Sequence, residues 1–242
     1  MASETKPKVW IRFQSKRQDG SIVKLRIQDL PKHRMDDLMT FLTTYIRDES
    51  CHKAAGVYKN QKAIEEYKTI LKRTYESNPP QIAVCCLDTE SDDFAEILAV
   101  STVLLMASSL KDSKGEKGKI QHENKEIQPL SNIIVVLSPQ FPKSVKEKYE
   151  KYYDGREILV RPDYRGLGIT SQMMIQRRLL CQEYKVPMTC AWMTSMESQK
   201  AAERDGWKTL AEITLEELDN LTGLDFEKDV STYKLMMATP NI

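Results

Sequence analysis

The sequence predicts a mixed α/β protein of the α+β kind, built on a partly antiparallel sheet. Three observations carry that expectation. Stretches that alternate apolar and polar residues interleave with stretches of helical periodicity. Two apolar runs, "QIAVCCLD" and "EILAVSTVLLMA", are joined through the polar link "ESDD", too short for the crossover that a parallel pair needs. Beyond residue 155 the pattern becomes strand, helix, strand, helix, strand.

Taken in order, Ile22–Gln28 alternates and reads as a strand. Residues 34–50, "RMDDLMTFLTTYIRDES", place Met35, Leu38, Met39, Leu42, Tyr45 and Ile46 on one helical face. "AIEEYKTILKRTYES" is a second amphipathic helix, ended by Asn78-Pro79-Pro80. The hairpin follows. Residues 108–131 are rich in Lys, Glu and Ser, and such composition predicts a solvated, mobile insertion. "KSVKEKYEKYYDG" predicts a helix that stops at Gly155, and "REILV" a short strand. The helix "ITSQMMIQRRLLCQEYK" keeps Ile169, Met173, Leu180 and Tyr184 on one face. "VPMTCAWMT", "WKTLAEI" and "STYKLMMA" read as strands, with a short helix in "MESQKAAERDGW". The whole chain, 1–242, reads as one domain.

Composition excludes several functions. Lys and Arg number 36 against 35 Asp and Glu, so no broad nucleic-acid footprint is expected. No apolar run is long enough to cross a bilayer, and "MASETKPKVW" lacks a signal-peptide core. The reading is a cytoplasmic monomer. The five cysteines form no CxxC pair and read as free thiols. The three histidines lack metal-ligand spacing, so no metal is expected.

The chemistry concentrates in "ILVRPDYRGLGITSQMM". A glycine-rich turn between strand and helix holds phosphates. A triphosphate loop needs Gly-Lys followed by Ser or Thr, and Gly118-Lys119 leads to Ile120. A dinucleotide loop needs a third glycine, where Ser171 stands, and an acid after the next strand, where none occurs before Glu197. The flanking "VRPDYRGLGI" resembles the acetyl-CoA segment of the GNAT superfamily of N-acetyltransferases. That resemblance implies the GNAT fold: a mixed, mostly antiparallel sheet, splayed at the strand carrying the acetyl-CoA loop, with helices on both faces. It makes acetyl-CoA the co-substrate. Arg165, Gly166, Leu167, Gly168, Ile169 and Thr170 would meet the pyrophosphate, and Leu159 and Val160 the pantetheine arm. Asp163 occupies the usual Gln or Arg position of the loop, so its side chain is expected to face away.

"YIRDESCHKAAG" resembles the "RDEPLxxALG" motif of insect arylalkylamine N-acetyltransferases, with Ser50 and Cys51 replacing Pro and Leu. The resemblance makes Glu49 the general base. Ala202 stands in the slot of the tyrosine acid used by many GNAT proteins. That leaves Ser198 near the coenzyme sulfur, Thr194 on the substrate side and Ser195 beside the coenzyme. Helix capping is the other reading of Ser195 and Ser198. Phe41, Tyr45, Trp192, Met193 and Met196 are candidate liners for the amine. The expected acceptors are arylalkylamines, with polyamines or agmatine as the alternative. A peptide N-terminal acetyltransferase and a non-catalytic acyl-CoA sensor are further alternatives.

Overall fold

The computed structural model describes residues 6–92, 94–107 and 122–240. Eight strands form one sheet in the order β1-β2-β3-β4-β5-β6-β8-β7. The first pair is β1 (Val9–Lys16) and β2 (Ile22–Asp29). β1 was not expected from the sequence, although Ile11 and Phe13 alternate with the polar Arg12 and Gln14 at its centre. The Trp10 indole N–H anchors it, donating to Asp29 at 2.6 Å.

The helix expected over 34–50 is divided. α1 (Met35–Thr44) closes at Tyr45, one 3-10 turn covers residues 46–48, and α2 (Ser50–Ala55) ends at Gly56, where φ is 73°. The break lets Ile46 bury itself with Ala55, Val57 and Ala63. It also leaves Glu49 extended, with φ −87° and ψ 120°. α3 (Gln61–Ser77) begins where the Asn60 side chain accepts from the Lys62 N–H. β3 (Gln81–Leu87) and β4 (Ala99–Ala107) then pair antiparallel.

Of the insertion expected over 108–131, residues 108–121 lie outside the described ones. The remainder is tied to α3 at a few points, while Glu123, Lys125 and Gln128 stay exposed. Glu66 accepts hydrogen bonds from Glu123 and Asn124, and Ile127 is buried at the start of α4 (Ile127–Leu137). The helix expected to end at Gly155 is also corrected. α5 (Lys143–Lys148) is short, and β5 (Lys151–Val160) already contains Gly155. Its pairing with β4 and its buried Tyr153 outweigh the helical spacing of the lysines and tyrosines. α6 (Ile169–Glu183), β6 (Thr189–Met193), α7 (Met196–Arg204), β7 (Lys208–Thr214), α8 (Leu215–Thr222) and β8 (Thr232–Ala238) follow. Tyr184 lies just past α6 and is exposed, not part of its buried face.

Strand alternation sorts the core into two layers. Ala83, Cys85, Ala99 and Val160 face α6, whereas Val84, Val100 and Leu159 face α1 and α3. Farther along, Ala191, Met193 and Met236 face α6 and α7, whereas Trp192 and Tyr233 face α4 and α8.

Only β5 and β6 run parallel, and they pair at just two positions, Tyr153 with Thr189 and Asp154 with Cys190. The strands part at Gly155. There the buried Arg177 of α6 reaches across the sheet. Its guanidinium donates to Ser101 Oγ at 2.9 Å, the Thr102 carbonyl at 3.2 Å and the Glu157 carbonyl at 2.9 Å. Burial pulls its pKa down to about 10, with Glu157 and Asp154 opposing, so it stays charged at neutral pH. A Cβ at Gly155 would stand 2.1 Å from Arg177 Nη1. Overpacking of that kind costs about 1–3 kcal/mol. Gly155→Ala is therefore expected to lower Tm by at least about 2–4 °C in thermal denaturation.

Candidate active site

The parted strands open a cavity of about 790 Å³. On its β5 side, the backbone groups of Arg156 to Val160 that point away from β4 have no partner strand. Leu159 and Val160 line this edge, and the Val160 carbonyl accepts from Arg165 Nε at 3.2 Å.

After β5 the chain makes one 3-10 turn at 162–164. Gly166 and Gly168 then take φ of 78° and 74°, a region that L side chains rarely adopt. Gly168 is the N-cap of α6 and supplies no side-chain cap. The first-turn N–H groups of α6 thus lack a side-chain acceptor at the cavity. Gly166, Gly168, Ile169, Thr170 and Ser171 all line it, and a Cβ at either glycine would meet nothing within 4 Å. Uncapped donors, open space and the positive end of a helix suit a pyrophosphate. Leu167 instead turns into the core beside Ile169 and Met173. The Asp163 carboxylate faces away, held in two hydrogen bonds of 2.6 and 2.7 Å by Arg161, which keeps its pKa below the usual range. Ser171 was noticed in the sequence only as a missing glycine.

On the opposite wall, the break between α1 and α2 places Asp48, Glu49 and Ser50 on the cavity. Asp48 pairs with Arg165 at 3.0 Å. Among the described residues, no hydrogen bond or ion pair engages the Glu49 carboxylate. Its pKa is raised to about 7, by burial first and then by the negative charges of Glu157 and Asp48, with Arg165 opposing. His52, three residues on, has both ring nitrogens buried, packs against Tyr67 and is lowered by burial to about 4.

Trp192, Met193, Thr194, Ser195, Met196 and Ser198 line the third side. Ser195 and Ser198 form a capping box at the start of α7, each side chain accepting from the other's backbone N–H. Phe41 and Tyr45 are not at the cavity. They pack together, ring centroids 4.9 Å apart, in the core with Leu38, Leu71 and Val100. Their helical stripe faces the sheet, so they are core residues rather than liners. Glu227 and Asp229, from the loop before β8, reach the cavity instead. Nothing in the local sequence marked them.

Several solved structures resemble this chain over nine tenths of its length or more. The yellow fever mosquito (Aedes aegypti) protein named for arylalkylamine N-acetyltransferase 7, an activity that its own description leaves unestablished, superposes with a TM-score of 0.81. The match has 24% identity and covers 100% of this chain and 98% of the other. The chain has the GNAT acetyltransferase fold. Arylalkylamine N-acetyltransferase 2 of the same mosquito gives a TM-score of 0.71 at 16% identity, covering 90% and 99%. A Drosophila melanogaster polyamine N-acetyltransferase that forms N-acetylagmatine gives 0.68 at 12%, covering 89% and 99%. No family model and no curated protein matches the sequence. Within the GNAT fold, the parted β5 and β6 are the splay expected at the strand before the glycine turn.

A carboxylate with a raised pKa makes the folded state less stable as pH climbs from its unfolded value, 4.5, through about 7. Glu49→Gln removes that penalty. The variant is expected to exceed the wild type in stability by about 1–3 kcal/mol at pH 8, with the gap closing toward pH 5, in urea unfolding at both pH values.

Proposed function

We propose that this protein is an acetyl-CoA-dependent N-acetyltransferase of small primary amines. The observation that carries the reading is a convergence on one cavity. An uncapped glycine turn, an open strand edge and an unpaired carboxylate with a pKa of about 7 all face it.

The first-turn N–H groups of α6, with Gly166 and Gly168, would hold the coenzyme's pyrophosphate, and the open edge of Leu159 and Val160 its pantetheine amide groups. Bound there, acetyl-CoA supplies a thioester carbonyl for a neutral amine to attack, with a thiolate leaving. Glu49 binds the acceptor as its ammonium and takes one proton, directly or through a water. The amine's own pKa is near that of lysine, ~10. A base whose pKa is close to the working pH suits that transfer. The Ser198 hydroxyl, on the same wall as Thr194, gives a proton to the departing sulfur and takes back the second proton that the nitrogen loses as the amide forms. Its place in the capping box fixes its position.

Trp192, Met193 and Met196 give the cavity an aromatic and thioether wall. That wall fits the ring of an arylalkylamine. A second reading, a dicationic acceptor of the diamine or agmatine type, is favoured by Asp229 and Glu227 at the same cavity. A non-catalytic acyl-CoA binder has no use for Glu49.

The direct test is a panel of aryl, alkyl and diamine acceptors with acetyl-CoA and thiol-release detection. Turnover with none of them overturns the reading. Glu49→Ala is expected to lower kcat/KM by ~10²-fold or more and to abolish the acidic limb of its pH profile. Gly168→Val should weaken acetyl-CoA by at least about tenfold in calorimetry, because valine is disfavoured at positive φ and its side chain enters the anion site. Unchanged affinity would place the pyrophosphate elsewhere.

A further inference from the structure

Glu157 sits in β5 two residues before Leu159, and so on the same face of the sheet. Its carboxylate accepts hydrogen bonds from the Tyr75 hydroxyl at 3.1 Å and from the Thr102 hydroxyl. The Thr102 oxygen in turn accepts from the Glu157 N–H at 3.1 Å. Three elements, α3, β4 and β5, thus fix this side chain. Yet no cation among the described residues pairs with it. Arg156 turns to Asp154 at 3.0 Å, and Arg177 bonds only the Glu157 main-chain carbonyl. Glu49, on the cavity, likewise has no counter-cation within ion-pair distance. An unpaired carboxylate with partial burial is costly, and the negative charge of Glu157 is felt at Glu49 on the cavity, so the site invites a cationic ligand.

The other titratable groups facing the two acids are accounted for. Asp48 and Arg165, paired with each other, face Glu49, and Arg156 and Arg177 face Glu157. Tyr67 and Tyr75 from α3, Cys51 from α2 and Tyr233 from β8 are all driven upward by burial and stay neutral. His52 stays neutral too, both ring nitrogens buried without a partner.

We propose that Glu157 is a positioning residue for this site: a rigidly held carboxylate behind the cavity wall that acts on Glu49 and on the incoming ammonium without touching the reacting atoms. The inference rests on the amine-acetyltransferase reading. Two neighbouring carboxylates resist carrying two charges, so the empty site retains a proton on the pair, and the pair titrates as a unit. An arriving ammonium lets both ionise and leaves Glu49 ready to take the proton. Burial also raises Glu157, to about 6, with the Tyr75 hydrogen bond, Arg156 and Arg177 opposing.

The test is titration of the glutamate side-chain carboxyls by 13C NMR, with Glu49→Gln and Glu157→Gln assigning the two signals. In Glu157→Gln, the Glu49 midpoint is expected to fall by about one pH unit, and the acidic limb of kcat/KM to move down with it. Glu157→Asp, which keeps the charge, should restore both. A role in packing alone would lower activity without moving the midpoint. An unmoved Glu49 midpoint in folded Glu157→Gln overturns the proposal. Coupling is reciprocal, so if that variant fails to fold, Glu49→Gln must lower the Glu157 midpoint by the same amount, and an unmoved midpoint there overturns it equally. The NMR readout needs no turnover. Coupled midpoints with no amine acetylated would overturn the enzymatic reading and the ammonium's part in this one, leaving the carboxylate pair itself.

Discussion

A buried guanidinium at the point where two parallel strands separate is the constraint on which the rest of the structure depends. Arg177 spans from α6 to β4 and β5, bonding Ser101, Thr102 and the Glu157 carbonyl. Strand pairing between β5 and β6 ends at Asp154 and Cys190, one residue before Gly155, where Arg177 needs the space that a side chain would fill. A charge that deep is tolerated only if its donors are satisfied, and main-chain carbonyls around the register shift in β4 and β5 satisfy them. The gap between the strands is therefore built in rather than opened by a ligand.

That gap organises the chemistry by face and by edge. The strand that loses its partner leads directly into the glycine turn, so the uncapped start of α6 and the open edge of β5 share one wall. The helix break before α2 brings Glu49 to the opposite wall, and the Asp48–Arg165 ion pair ties the two together. Glu157 lies behind, on the face of β5 that α3 covers. The glycine turn and Glu49 thus face one another where β5 and β6 part.

Several of these features were legible in the residues alone. Alternation marked β2, whereas β3 and β4 showed as apolar runs bounded by turns, because both of their faces are buried and the period of two is lost. Gly166 and Gly168 announced their turn because positive φ selects glycine. Other features were not legible. Phe41 and Tyr45 carry the same helical stripe whether it faces a pocket or a core. The helix read across 34–50 broke at Tyr45 because burying Ile46 with Val57 and Ala63, distant in sequence, outweighed local periodicity. The Lys- and Tyr-rich run before Gly155 looked helical until β4 claimed it by pairing. Glu227 and Asp229 reach the cavity from an unremarkable loop.

By itself, the sequence determined the alternating α/β order, the glycine turn before α6 and the presence of an acid after α1, since each depends on backbone preference and short-range spacing. Only the tertiary structure decided that β5 and β6 part, that Glu49 loses its counter-ion and gains a pKa of about 7, and that Glu157 stands behind it. Those outcomes depend on burial and on charges brought together from positions 49, 157 and 165, and electrostatics in a low-dielectric cleft follows distance in space rather than distance along the chain.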